Sequence, residues 1–214
     1  MGVKGMWQTH ASILAVLVFM NLMISMLGRA AWIGIGIALL LGGMALCYRQ
    51  GARIGHGACG IRSTVEGARE AGEKVYAQLD DTYLKQVWSP ATGFRGLLAC
   101  ALIPYVAGCV YIILSLLLTA DQVIIPRTIA WLLSVPFWPV IMHWHQDFVT
   151  LTPGIAAMLL LSPFVLPGCM LLGYMQGPRL WARTEQAMKD GRRRAKARAR
   201  VGKKLAPKQQ KPEI

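Results

Sequence analysis

The residues with the greatest capacity for chemistry cluster at 143–147, where the sequence reads His-Trp-His-Gln-Asp. Imidazole and carboxylate groups can bind a metal ion or transfer protons. On a helix, however, His143 and Asp147 share one face, whereas His145 points elsewhere. A zinc site needs at least three protein ligands, so a metal site formed by His143, His145 and Asp147 is the less favoured hypothesis. The favoured interpretation places this polar group at a membrane–water boundary, where polar side chains and Trp are common.

No other motif indicates catalysis. The sequence contains no G-x-S-x-G, no H-E-x-x-H and no G-x-x-x-x-G-K-[ST] pattern, which excludes the usual signatures of a nucleophile elbow, a zinc protease helix and a phosphate-binding loop. The five cysteines include no CxxC pair, and most lie in or beside apolar stretches, where a thiol behaves as a small hydrophobe. We therefore expect a protein that is not an enzyme, with no catalytic residue and no cofactor.

The elements that carry these residues are mostly apolar. Hydrophobic residues make up 55% of the 214 residues and charged residues only 15%, whereas soluble domains carry roughly 25% charged residues. Four charge-free blocks are long enough to cross a bilayer, which takes about 17–25 residues; they lie at 11–28, 30–48, 96–119 and 152–175. The sequence therefore predicts an all-α polytopic membrane protein with four spanning helices and one further hydrophobic segment, which is either re-entrant or a fifth span.

The further segment, 123–145, is the weakest candidate span, because Arg127 lies near one end and Pro136 and Pro139 interrupt its middle. Basic residues accumulate on the cytoplasmic side of spanning helices. The seven Lys and Arg of 49–95 and the thirteen of the C-terminal tail should therefore lie on one side, which requires an even number of crossings. We favour a re-entrant hairpin, with these three residues near its turn or along a solute pathway, over a fifth crossing with the N-terminus outside.

The chain divides into four segments. We expect a transmembrane helical hairpin over 1–48, a cytoplasmic loop over 49–95, a second membrane region over 96–177 and a basic cytoplasmic tail over 178–214. This arrangement predicts a multi-pass inner-membrane protein with both termini in the cytoplasm.

Within the loop, we expect one amphipathic helix. Ser63 and Glu66 have the spacing of a capping box, which predicts a helix over about 64–88. The stretch before it, GARIGHGACG, is too rich in glycine for a stable helix on propensity alone. The sequence therefore predicts that the second spanning helix ends near Tyr48 and that a separate helix begins after Ser63.

A stripe of small residues marks the second apolar block. Ala30, Gly34, Ala38 and Gly42 recur every four residues, which on a helix gives a smooth surface that another helix can approach closely. We expect a helix-packing interface here. Packing within the chain is the favoured interpretation, and an interface with a second copy or another protein is the alternative.

The tail carries most of the charge. From Arg179 to Ile214 there are thirteen Lys and Arg against three acids, out of a net charge of +13 for the whole chain. A helix to about Lys189 followed by a disordered, low-complexity end is expected. Such a tail is attracted to anionic lipid headgroups or to an acidic partner, and nucleic acid is unlikely because no aromatic residues are interleaved for base stacking. The lipid- or partner-binding residues are Arg192, Arg193, Arg194, Lys196, Arg198, Arg200, Lys203 and Lys204.

These features favour a non-enzymatic subunit of a larger inner-membrane assembly, of the transport or secretion type, with protein partners or a second copy of itself. The alternative is a channel or transporter component whose pathway is lined by 123–145. A metal-dependent membrane enzyme is the third and weakest hypothesis.

Overall fold

The computed structural model describes residues 3–72, 86–119, 122–144 and 151–205, and these residues form helices and no β-strand. Short 3-10 turns occupy Ser25–Leu27 and Val135–Phe137. In chain order the helices are α1 (Val3–Ile24), α2 (Arg29–Glu70), α3 (Pro90–Leu117), α4 (Ile124–Ser134), α5 (Trp138–Trp144), α6 (Pro153–Met175) and α7 (Gly177–Leu205).

The helices have the length and composition of membrane spans. Five helical stretches of the described chain are long and apolar enough to cross a bilayer: Val3–Leu27, Arg29–Glu70, Pro90–Leu117, Ile124–His143 and Pro153–Lys196. Large apolar side chains such as Leu116 (78% exposed) and Ile125 (73%) cover the outside of the bundle. Soluble proteins rarely expose apolar surface on this scale, and the prediction of an all-α polytopic membrane protein is confirmed.

Local sequence sets several helix ends. Ser89 and Thr152 each accept a backbone hydrogen bond in the first turn of the following helix, and proline follows each of them, which is the preferred chemistry of a helix start. Gly28, with φ +96°, makes the tight turn between α1 and α2, and Gly72, with φ +117°, follows the last turn of α2. Glycine adopts these backbone angles without the steric cost that a Cβ brings.

The predicted helix end near Tyr48 and the predicted start of a separate helix after Ser63 are wrong, because α2 runs without a break from Arg29 to Glu70. The Ser63 hydroxyl donates to the Gly60 carbonyl inside this helix and caps nothing. Glu66 instead accepts a hydrogen bond from Arg62 one turn earlier, at 2.8 Å. Packing of the glycines overrides their poor helix propensity, and the rest of the predicted helix, 73–85, lies outside the described residues.

The length of α2 places part of it beyond the membrane. Its 42 residues span about 63 Å at 1.5 Å per residue, against about 30 Å for the hydrocarbon core of a bilayer. Residues 61–71 are half-buried or exposed. The second half of α2 therefore projects as a helical stalk, which we call the α2 stalk (49–70).

The described part of the segment 123–145, which is 123–144, bends at the Val135–Phe137 turn rather than forming one straight helix. Val123, before α4, and Ile141, in α5, lie in the same apolar cluster as Ile155 at the start of α6. The Arg29 guanidinium, at the start of α2, donates to the Met142 carbonyl at 3.2 Å. Both ends of the hairpin therefore lie at the end of the bundle where α1 turns into α2, which we call the hairpin end.

The tip of the hairpin reaches the interior. Leu133 and Phe137, on either side of the turn, line a small cavity with Pro104 and Ser162, which lie midway along α3 and α6. The Trp138 indole donates back to the Trp131 carbonyl at 3.0 Å, which braces the turn. By length and composition this segment could cross a membrane, and the contacts of its two ends at the hairpin end are those that a re-entrant element would make.

The opposite end of the bundle contains the first turns of α1 and α3 and the last turn of α6. Met6 of α1 packs on Gly96 of α3, the Trp88 amide donates to the Ala58 carbonyl at 3.2 Å, and the Tyr174 hydroxyl donates to the Ser89 carbonyl at 3.3 Å. We call this the basic end, since the α2 stalk and α7 also lie there. The start of α1 and the first turns of α7 thus lie at the same end of the described bundle.

Candidate functional site

A seam of glycines brings the backbones of α2 and α6 into close contact. A Cβ added at Gly51 would overlap the Met170 carbonyl, and one added at Gly55 would overlap the Tyr174 carbonyl. From the other side, a Cβ at Gly173 would lie 2.8 Å from the Ala52 amide nitrogen. The two backbones are therefore in direct contact, which is the geometry that small residues permit between membrane helices.

The sequence contained a signal for this seam. Gly43, Cys47, Gly51, Gly55 and Cys59 recur every four residues, and all five are buried. The pattern extends across the expected helix end at Tyr48. It forms one helical face only if the helix continues past that residue. The seam accounts for the glycine-rich stretch and also explains why Cys47 and Cys59 act as small packing residues.

The predicted stripe lies elsewhere on α2. Ala30, Gly34, Ala38 and Gly42 are all exposed, and a Cβ added at Gly34 or Gly42 would meet no atom within 4 Å. The favoured interpretation, packing of the stripe within the chain, is therefore wrong for the residues that the structure describes. The stripe faces outward and is available to another helix.

The three residues proposed for a pathway do not lie together. Pro136 and Pro139 are buried at the hairpin turn, and Pro139 packs so closely on Gly36 that a Cβ there would lie 2.8 Å from its Cβ. Arg127 is half-buried in the first turn of α4, at the hairpin end. The two prolines lie at the turn of the hairpin, whereas Arg127 lies about two helical turns away, at the start of α4.

The interior next to the hairpin tip contains two polar side chains that the sequence did not indicate as neighbours. His10 of α1 and Ser162 of α6 are both buried, at 5% exposure each, and line the cavity beside Phe137. Its volume of about 10 Å³ is roughly the space of one water molecule. Without the topology, nothing in the sequence places His10 next to Ser162.

Asn21 is the other buried polar residue of α1. Its Nδ2 donates to the Leu17 carbonyl of its own helix at 2.9 Å, and its Oδ1 has no hydrogen-bond partner among the described residues. The Oδ1 faces Gly36 of α2, 3.0 Å from the position of an added Cβ. This amide fills the contact between α1 and α2 without an interhelical hydrogen bond.

The hypothetical metal ligands are only partly described. His143 is exposed near the end of α5, and His145 and Asp147 lie outside the described residues. Within the described part of the chain, no group of three or more His, Cys, Asp or Glu residues is close enough to hold a metal ion.

The basic tail continues as α7. Its first two turns dock on α2, where His56 Nε2 lies 3.0 Å from Thr184 Oγ1 and Trp181 covers Gly60. From Gln186 to Lys196 every residue is exposed, including Arg192, Arg193, Arg194 and Lys196. The backbone stays helical as far as Leu205, past Arg198, Arg200, Lys203 and Lys204, so the expectation of disorder from Arg192 onward is wrong over this range.

The chain matches no protein-family model, no curated protein and no solved structure. The functional argument therefore depends on its own residues and geometry.

Proposed function

We propose that the protein is a non-enzymatic subunit of a larger inner-membrane assembly and that the exposed stripe on α2 binds a helix of a partner or of a second copy. The observation that carries this proposal is the outward position of Ala30, Gly34, Ala38 and Gly42. Lipid chains pack against bulky side chains as well as against small ones, whereas a smooth small-residue surface favours close approach of another helix.

The basic end supports the same function. The α2 stalk projects beyond the membrane, and α7 extends from its docking site on the stalk as an exposed basic helix. Residues 61–70 of α2 are half-buried or exposed, and residues 186–196 of α7 are exposed, so these helix ends leave surface free to contact another component. The exposed arginines of α7 would bind anionic headgroups, at about 1 kcal/mol per residue near the membrane surface, or an acidic partner protein.

Charge asymmetry supports the orientation of this assembly. Of the Lys and Arg residues that the structure describes, Lys4, Arg95 and those of the α2 stalk and α7 belong to the basic end, whereas only Arg29 and Arg127 belong to the hairpin end. By the positive-inside rule the basic end is cytoplasmic, together with both chain ends. The inner membrane and this orientation are parts of the proposal.

The stripe is tested by a double substitution, Gly34→Leu with Gly42→Leu. The matched control is Gly168→Leu in α6, because Gly168 also has open space around its Cβ position but lies outside the stripe. Each variant is cross-linked in native membranes, extracted in mild detergent and examined by light scattering and by mass spectrometry of co-purified proteins.

The wild type and the Gly168→Leu control should retain the same partner or the same oligomer, and the stripe variant should lose it. A wild type that is monomeric after cross-linking and carries no associated protein would contradict the proposal. So would a stripe variant that keeps the complete complex.

A second candidate, a channel or transporter component, is supported by the hairpin. Re-entrant elements and broken helices at membrane depth occur where they are buried in protein or line a wet cavity. Here the tip lies beside buried His10 and Ser162 and beside proline-containing stretches of α3 and α6. This candidate is tested by measuring solute flux into liposomes that contain the protein. A flux that changes in the Pro136→Ala or His10→Leu variant would support it. A wild-type flux equal to that of empty liposomes would eliminate it.

A further inference from the structure

The buried imidazole of His10 has no hydrogen-bond partner among the described residues. His10 is 5% exposed, and it makes no hydrogen bond, ion pair or ring contact with any residue that the structure describes. A neutral imidazole offers one N–H donor and one acceptor nitrogen. Nearly all buried polar groups of folded proteins have a partner, either in the protein or in an ordered water molecule. The His10 side chain therefore indicates a small polar ligand in the cavity that it lines.

The same cavity is lined by other groups with unused hydrogen-bonding capacity. The Ser162 hydroxyl lies 3.5 Å from the Leu159 carbonyl of its own helix, which is longer than an ordinary O–H···O bond of about 2.5–3.0 Å. Three prolines inside α3 and α6 also line the cavity, namely Pro104, Pro163 and Pro167. A proline has no N–H to donate to the carbonyl one helical turn earlier, and its ring lies against that carbonyl. The prolines therefore leave acceptor oxygens without their usual helical donor beside the cavity.

The size of the cavity decides which ligand fits. Its volume of about 10 Å³ is at the lower end of the roughly 10–15 Å³ that one water molecule needs. A second water molecule, an organic solute or a hydrated ion would be too large. An internal water molecule needs about two to four polar partners, and the imidazole, the hydroxyl and the carbonyl oxygens supply them. Ordered water is also one of the means by which membrane helices satisfy the backbone groups that proline frees.

We propose that this site binds a single water molecule, which bridges the His10 imidazole and the Ser162 hydroxyl. The bridge joins α1 to α6 beside the hairpin tip, where Leu133 and Phe137 line the cavity. A bridging water molecule is nearly as favourable in enthalpy as a direct hydrogen bond, and polar contacts between helices stabilise membrane bundles. Because the cavity has room for one water molecule, the bound water holds the packed bundle together and is not part of a wet path. The proposal does not depend on whether the α2 stripe binds a partner.

X-ray radiolytic labelling of the full-length protein in lipid nanodiscs, read out by mass spectrometry, tests the site. Hydroxyl radicals form from water and react with the nearest side chains, so a buried side chain is labelled where a water molecule lies beside it. Leu166 lines the cavity and is 2% exposed, and Leu40, at 7% exposure, is the reference leucine because it does not line the cavity. Labelling of Leu166 should exceed that of Leu40 severalfold in the wild type. Equal labelling of the two leucines would overturn the proposal.

Variants identify the groups that hold the water molecule. His10→Leu should reduce labelling of Leu166 to the level of Leu40, because an apolar cavity stays dry, and Ser162→Ala should also reduce it. His10→Gln, which keeps a donor and an acceptor, should retain most of the wild-type labelling.

The matched control is Ser12→Ala, which removes an exposed hydroxyl of α1 and should leave the labelling of Leu166 unchanged. Wild-type labelling of Leu166 in His10→Leu would overturn the proposal. A variant that unfolds is recognised by increased labelling of Leu40, and the comparison of Leu166 with Leu40 in the wild type then decides by itself.

Discussion

Replacing Gly51 by alanine tests the glycine seam between α2 and α6. The added Cβ would lie 2.8 Å from the carbonyl carbon of Met170 and 3.0 Å from its Cα, and it would overlap the carbonyl oxygen. These atoms belong to helical backbone, which cannot rotate away as a flexible side chain can. The two helices must therefore move apart or bend to admit a single methyl group.

The magnitude follows from two opposing effects. Overpacking a close contact costs about 1–3 kcal/mol, whereas alanine is favoured over glycine inside a helix by about 1 kcal/mol. Gly57→Ala is the matched control, because Gly57 lies on the same helix with nothing within 4 Å of its Cβ position, so only the helix preference acts there. The free energy of unfolding of Gly51→Ala should be lower than that of Gly57→Ala by about 1–3 kcal/mol.

Both variants can be unfolded by titrating SDS into mixed micelles while tryptophan fluorescence is followed. Gly173→Ala, on the opposite side of the seam, should be destabilised in the same way, since its Cβ would lie 2.9 Å from the Tyr48 carbonyl carbon. If Gly51→Ala were as stable as Gly57→Ala, the backbones of α2 and α6 could not be in contact there. The continuation of α2 past Tyr48 would then lose its physical explanation.

Three further substitutions test contacts at the two ends of the bundle. Tyr174→Phe removes the hydroxyl that donates to the Ser89 carbonyl and accepts from the Ser89 amide. The loss should cost about 1 kcal/mol and lower the midpoint of thermal unfolding. An unchanged midpoint would contradict these bonds. Arg29→Gln removes the charged donor to the Met142 carbonyl, so amide hydrogen exchange in α5 should accelerate while exchange in α6 stays unchanged. Gly36→Ala should also accelerate exchange in α5, because its Cβ would press on the hairpin; protection equal to that of the wild type would show that the hairpin does not pack there.

The membrane class and several helix ends could be predicted because they depend on local sequence. Apolar blocks of sufficient length specify spanning helices whatever their neighbours are. Ser89-Pro90 and Thr152-Pro153 specify helix starts through hydrogen bonds within one turn, although the predicted third block began at 96 rather than at Pro90. A re-entrant element at 123–145 could be proposed for a different reason: the charge distribution favours an even number of crossings, and Pro136 and Pro139 mark the weakest segment.

The remaining features depend on contacts between distant parts of the chain. Two stripes of small residues lie on α2, and the sequence alone does not show which one meets α6. The stripe at Gly34 and Gly42 was expected to pack within the chain, but the seam at Gly51 and Gly55 does so. Helix propensity predicted a break in this region, and tertiary packing overrides propensity.

The interior polar site was also beyond local reasoning. His10 and Ser162 are separated by most of the sequence, and each taken alone resembles an ordinary polar residue in an apolar block. Only the positions of α1, α6 and the hairpin tip bring them to one cavity.

The re-entrant hairpin is the central claim, and cysteine accessibility tests it most directly. In a variant without the five native cysteines, single cysteines are introduced at Gln122 and Leu151, on either side of the hairpin, and at Ala195 in α7. Each is treated with a membrane-impermeant maleimide in intact cells and in inverted vesicles. The cysteines at 122 and 151 should react from the same face, in intact cells, and the cysteine at 195 only from the opposite face. Reaction of the cysteines at 122 and 151 from opposite faces would show that 124–144 crosses the membrane and would contradict this account.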